Sequence, residues 1–164
     1  MKSDNRKIMI TGSDGFLGKN LCKSLEDRNL KIKKISRNFV DEKKLNLNLE
    51  NHIDWTLILS DVDTIIHTAA RVHILKKENS KKINLYEKIN VDATINLAYQ
   101  ASQNGVKRFI FISTVKVVGE KSSPGSPFNE THSPNSDDPY AISKIEAEKK
   151  LTKLANETNI EVVI

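Results

Sequence analysis

The sequence predicts an α/β fold, a doubly wound parallel sheet held between two layers of helices. Short runs rich in β-branched and apolar residues alternate along the chain with stretches of helical period, the pattern of parallel strands joined by helical crossovers. A glycine-rich turn also follows the first of these runs, where such a sheet feeds its first helix.

Lys7–Thr11 reads as the opening strand. From Phe16 the apolar spacing changes, with Leu17, Leu21 and Leu25 on one helical face, and the helix is expected to stop near Asn29. Lys31–Ile35 is the second strand, Leu45 and Leu47 point to a short third, Ile53–Leu59 to a helical turn, and Thr64–His67 to a buried fourth strand. Ile83–Asn104 has the length and period of a long helix, which Asn104-Gly105 ends before the apolar strand Arg108–Ser113. The Gly-, Pro- and Ser-rich stretch from Gly119 to Pro139 is a loop long enough for function to be its reason. Pro139 opens a helix to about Glu157, and Ile160–Ile164 begins another strand. An ending on β-branched residues, without turn or polar tail, reads as a truncated protein.

The chain has 164 residues, 38% of them apolar and 29% charged, which fits one globular domain with a real core. No apolar run approaches a bilayer span and the amino terminus lacks a signal peptide's apolar stretch, so a cytoplasmic protein without membrane association is expected. The net charge of +5 is spread over lysine pairs such as Lys33/Lys34 and Lys81/Lys82, interleaved with acids, which reads as a solvated surface rather than a nucleic-acid face. Cys22, the single cysteine, reads as a small buried apolar residue, and His52, His67, His73 and His132 lack metal-ligand spacing, so no metal is expected.

The turn comprises Gly12, Ser13, Asp14, Gly15, Phe16, Leu17 and Gly18, and its place after the first strand fits backbone N–H groups cradling a pyrophosphate. Gly12 permits the tight turn, Gly15 the close approach and Gly18 the packing of helix on strand; the bland alternative is an ordinary loop. At the end of the second strand an acidic residue would take the ribose hydroxyls of NAD, but Ser36-Arg37-Asn38 stands there. Arg37 can clamp a 2′-phosphate, which favours NADP over NAD; otherwise it simply faces solvent. Asn46 and Leu47 flank the adenine in this reading. Ala69 and Ala70 are small enough for a cofactor to lie against their backbone, or serve only to pack a helix start.

Tyr140 and Lys144 stand four apart on one helix face. An adjacent ammonium favours the phenolate and lowers a tyrosine pKa from its ordinary value of about 10, so Tyr140 can exchange a proton with a substrate hydroxyl or ketone. Taken alone, that spacing is common by chance. Thr114, at the end of the fifth strand, is placed to hold the reacting oxygen, with Ser113 as its rival. Asn90, polar among apolar neighbours in the long helix, requires hydrogen-bond partners.

The segments TGSDGFLG, DVDTIIHTAAR, KINVDATINL, VKRFIFISTVKVVGE and DPYAISKIEAEKKL resemble, in order and spacing, the extended short-chain dehydrogenase/reductases of the NAD-dependent epimerase/dehydratase family, above all the UDP-glucose 4-epimerase branch. The resemblance implies a Rossmann-type fold, catalytic roles for Thr114, Tyr140 and Lys144, with Tyr140 and Lys144 also touching the cofactor, and Asn90 as the helix asparagine near the active site. Family dehydratases carry Asp-Glu after the catalytic threonine; Val115 and Lys116 stand here, which argues against dehydration. The words STVKVVGE and HTAARVH are similar to bacterial polysaccharide enzymes that epimerise or reduce at C4 of a UDP-linked sugar, N-acetylated ones included. The resemblance further implies a nicotinamide cofactor, a UDP-sugar substrate and a homodimer formed through Ile83–Asn104 and Pro139–Glu157. It makes residues 1–164 the nucleotide-binding domain, with the carboxyl-terminal substrate domain absent and the fragment inactive alone. The competing reading is a non-catalytic cofactor-binding module or sensor.

Overall fold

The computed structural model describes residues 7–37, 39–40, 47–72 and 85–164. Its strands are β1 (Lys7–Thr11), β2 (Ile32–Ser36), β3 (Phe39–Val40), β4 (Val62–His67), β5 (Arg108–Phe111) and β6 (Glu161–Val163). They form one sheet in the order β3-β2-β1-β4-β5-β6. Every pairing is parallel except that of β3 with β2, a two-residue antiparallel edge. Among the described residues the α-helices are α1 (Phe16–Glu26), α2 (Thr56–Leu59), α3 (Ala93–Gln103) and α4 (Pro139–Glu157).

Parallel neighbours cannot be joined by tight hairpins, so each strand returns through a crossover, and the sheet is covered on its faces. Met9, Ile65 and Phe109 are buried in one cluster with Trp55, Leu59, Leu97, Ala147 and Leu151, which packs α2, α3 and α4 onto that face. Ile10, next in the β1 alternation, is buried outside that cluster, and α1 packs on β1 and β2 with Cys22 buried beneath it. Burial also raises the Cys22 thiol pKa, as suits a packing residue.

The predicted alternation is the observed one, with differences at particular elements. Leu45 lies outside the described residues and Leu47 is not in a strand; the strand beyond β2 is Phe39–Val40 instead. Ile83 and Asn84 are also outside the described residues, and the long helix is not α-helical throughout, since Glu87–Asp92 forms a π-helical segment ahead of α3. β5 stops at Phe111, and a short 3₁₀ turn covers Val115–Val117. Lys33, read as part of a solvated surface, is buried instead: its ammonium reaches Asp61 and donates to the Ile58 carbonyl at 2.7 Å, because β2 lies between neighbours and its alternate residues turn inward. Among the described residues no helix is long and apolar enough to cross a membrane.

Candidate functional site

The carboxyl ends of β1, β2 and β4 open onto a cleft of about 560 Å³. In an open parallel sheet this is where a ligand lies, across the point where strand order reverses beside β1. Of the predicted binding residues, Gly12, Asp14, Gly15, Ser36, Arg37, Leu47, Ala69 and Ala70 line it. Ser13 does not: it is buried, and its N–H donates to the Ile35 carbonyl at 3.0 Å. Phe16 and Leu17 are exposed outside the lining, because the first turn of α1 carries their side chains away from the cleft. Asn46 lies outside the described residues.

The glycines explain the turn. Gly12 has φ +70°, and a Cβ there would come within 2.8 Å of the Ala69 nitrogen and the Thr68 hydroxyl. A Cβ on Gly18 would stand 2.1 Å from the Gly12 carbonyl oxygen, so α1 rests directly on the turn rather than on the strand as expected. Gly15 differs: its Cβ would meet only the Gly12 oxygen, at 3.1 Å, which leaves its backbone open to the cleft as head of α1. The floor is braced from β4. The Thr68 hydroxyl donates to the Thr11 carbonyl at 2.6 Å, and buried His67 bridges the Thr11 hydroxyl, at 2.8 Å, and that of Thr94, at 3.1 Å. Burial, helped by the Lys144 charge, pushes the His67 pKa down to about 3, so the ring is neutral at ordinary pH.

The cleft also contains residues that motif reading missed, among them Asn48, Glu50, Trp55 and Arg71. Residues 47–55 are fastened to α3 by the Gln100 amide, which accepts from the Trp55 N–H at 2.7 Å and donates to the Ile53 carbonyl at 2.8 Å. No local pattern announces that fastening; Trp55 beside an apolar turn was the available sign of a buried anchor.

Thr114, Tyr140 and Lys144 do not line the cleft. The helix of Tyr140 and Lys144 is connected to it through two links. Asn90, 1% exposed, accepts from the Arg71 N–H at 2.7 Å and donates to the Arg71 carbonyl at 3.0 Å and the Ser143 hydroxyl at 2.9 Å. It therefore joins the cleft wall to α4, meeting the expectation that it be hydrogen-bonded. Tyr86 is the second link: its hydroxyl donates to the Val72 carbonyl at 3.3 Å, and its ring lies 6.4 Å from that of Tyr140.

The expected lowering of the Tyr140 pKa by Lys144 is not what the geometry gives. Burial, then the Asp138 carboxylate, raises the phenol above its ordinary value, and the cation acting to lower it is Lys116. A shared helix face fixes where two side chains start, not where they end. Lys144 turns to the sheet, where its ammonium donates to the Ile112 carbonyl at 2.7 Å and stands 3.6 Å over the Phe111 ring. Burial lowers its pKa to about 7, against an opposing effect of Glu148. Thr114 caps the 3₁₀ turn, its hydroxyl accepting from the Lys116 N–H at 3.3 Å. Ser113 donates its hydroxyl to Glu148.

The chain resembles known proteins over nearly its whole length. The chain is 40% identical over 166 residues to the UDP-glucose 4-epimerase of Vibrio cholerae, a match covering 97% of this chain and 50% of that protein. It is 28% identical over 165 residues to an undecaprenol-linked N-acetylglucosaminyl 4-epimerase of Escherichia coli O157:H7, covering 96% and 46%. The chain thus spans about half the length of the curated relatives it matches. The UDP-glucose 4-epimerase of Thermus thermophilus, solved in complex with NAD, superposes with a TM-score of 0.79 at 22% identity, over 95% of this chain and 53% of that one. That likeness is one of fold. The model of the NAD dependent epimerase/dehydratase family matches residues 8–164, and the chain belongs to that family.

Proposed function

We propose that this chain is the cofactor-binding domain of a cytoplasmic, nicotinamide-dependent enzyme that epimerises or reduces C4 of a UDP-linked sugar, N-acetylated sugars included, for cell-surface polysaccharide. The observation that carries the reading is the Asn90 amide, which ties the cleft wall at Arg71 to Ser143 on the helix of Tyr140 and Lys144. A cofactor cleft and an acid–base helix held in fixed relation are what positioned proton transfer requires. The named 4-epimerases among its relatives support the same reading.

A nicotinamide bound in the cleft supplies two-electron chemistry at a carbon bearing oxygen. The chain's own residues do the rest. The turn offers the N–H groups of an open helix end to a pyrophosphate, and the open backbone at Gly15 fits such a group. Tyr140 exchanges the proton of the sugar oxygen; a phenol raised above its ordinary pKa is a proton donor, the role that reduction of a keto sugar asks of it. Thr114 orients the reacting oxygen, since the rival hydroxyl of Ser113 is engaged by Glu148. Lys144 reaches the ribose in this reading by leaving the Ile112 carbonyl and the Phe111 ring that hold its ammonium. With Val115 and Lys116 after Thr114, no carboxylate pair stands ready for dehydration. The alternative of a non-catalytic sensor leaves the joint presence of Thr114, Tyr140 and Lys144 without a use.

For the cofactor, exposed Arg37 in the cleft wall favours a 2′-phosphate, hence NADP. A second reading, NAD, is favoured by Glu50, a carboxylate in the same wall able to accept ribose hydroxyls. Exposed Tyr99 on α3 and Ile142 on α4 support a homodimer through these helices. The decisive test is Tyr140→Phe in a version that turns over UDP-sugar: turnover is expected to be lost with cofactor affinity kept, and retained turnover refutes the role. Parallel titration with NADPH and NADH, repeated in Arg37→Ala, decides the cofactor.

A further inference from the structure

Among the described residues the cations of the cleft wall are Arg37, beyond β2, and Arg71, beyond β4. They are placed differently. Arg37 is exposed, whereas Arg71 is held at both backbone polar atoms by the single amide of Asn90, with the N–H donated at 2.7 Å and the carbonyl accepting at 3.0 Å. Among the described residues nothing comparable serves its Nε. The Nε of Arg71 is sealed from solvent and has no hydrogen-bond partner among the described residues. A buried donor of a charged group without an acceptor opposes folding, so internal hydrogen bonding does not account for this guanidinium. Its residue stands in the cleft wall, beside the space a ligand would fill.

The glycine turn explains what would be met there. It presents N–H dipoles but no cation, and the formal charge it adds to the cleft wall is the carboxylate of Asp14. A pyrophosphate seated on it therefore meets like charge. The wall that carries Arg71 touches the turn itself, since the Ala69 backbone stands 2.8 to 2.9 Å from where a Gly12 Cβ would be. Arg71 follows Ala69 by two residues, on the side of β1 opposite Arg37. We propose that Arg71 is a binding residue for the phosphate oxygens of the dinucleotide, the countercharge that the glycine turn lacks, and that Asn90 is a positioning residue that acts through it. The inference rests on the cofactor-binding reading above.

The test is calorimetric titration of the chain with ADP-ribose, ADP and adenosine, in wild type, Arg71→Gln and Arg71→Lys. Arg71→Gln is expected to weaken ADP-ribose and ADP by roughly ten- to hundred-fold while leaving adenosine unchanged, the scale of a lost charge-assisted hydrogen bond. Arg71→Lys should recover part of the loss. Equal weakening of adenosine, or unchanged ADP-ribose, overturns the proposal. A readout independent of variant folding is the Arg71 Nε–H resonance of the wild type, expected to shift with ADP-ribose and not with adenosine; a resonance indifferent to both also overturns it. If the wild type binds no ADP-ribose at all, the cofactor reading itself falls, and with it the role of Arg71.

Discussion

The ammonium of Lys144 lies 3.6 Å over the ring of Phe111 while it donates to the carbonyl of Ile112 at 2.7 Å. Lysine is rarely buried so completely, and the aromatic face and one carbonyl replace only part of its hydration. Hence its pKa falls to about 7 from an ordinary 10.5.

In that window the unfolded chain carries more protons at this position than the folded one, so stability rises with pH from about 7 and the gain is complete above 10.5. The slope from this single group is up to about 1.4 kcal/mol per pH unit. Urea unfolding at pH 7 to 10 should show it, and Lys144→Met should flatten it. A Lys144 ¹³Cε resonance titrating with the surface lysines near 10 would contradict the burial argument.

His67 predicts a pH dependence at the acid end. Its pKa is about 3 in the folded chain against an ordinary 6.5, with burial the larger cause and the Lys144 charge the smaller. The unfolded chain takes up the proton first, so stability is full above about 6.5 and declines as pH falls toward 3. In wild type the His67 ring protons should show no shift change down to pH 4. Denaturation curves of His67→Gln should lose about one proton's worth of slope over that range.

Tyr140 responds to two charges that are themselves paired. Lys116 contacts Asp138 at 3.3 Å, and Asp138 caps α4 by accepting from the Ala141 N–H at 2.9 Å. Asp138 raises the phenol pKa and Lys116 lowers it. Asp138→Asn preserves a good cap, so helix stability should hardly change while the Tyr140 pKa falls. Lys116→Ala should move it the other way. Alkaline titration of tyrosinate absorbance reads both, and shifts of the same sign in the two variants would rule out this account.

Two glycine substitutions should separate steric need from backbone need. Gly18→Ala drives a methyl to 2.1 Å from the Gly12 oxygen, so the turn must move, and both stability and nucleotide affinity should drop severely. Gly105 has φ +75° and open space around it, so Gly105→Ala should cost only roughly 1–2 kcal/mol from left-handed backbone and leave nucleotide binding intact. Thermal melts and calorimetry on the pair check this.

The sequence made the strand–helix alternation, the glycine turn and the bounds of α4 readable because each is a local matter. Asp138 and Pro139 form a cap and a first helical position, and a period shows itself within a few turns. What stayed hidden depends on distant partners. The π-helical stretch has no compositional mark, the Arg71 backbone that Asn90 holds is nineteen residues away, and Glu50 reaches the cleft through a segment fastened to α3. The direction of Lys144 is hidden for a similar reason: spacing places it beside Tyr140, whereas burial against Phe111 and Ile112 decides where its charge resides.

An extra residue in a helical turn acts as a phase shifter. Upstream of Glu87–Asp92 the helix sends Tyr86 toward Tyr140, and downstream it sends Leu97, Ala98 and Ala101 into the core. Each residue advances an α-helix by about 100°, so removing one residue from this stretch would leave the downstream packing in place and swing Tyr86 away from its neighbour. The spacing of these two tyrosines is thus set by a winding irregularity rather than by either ring.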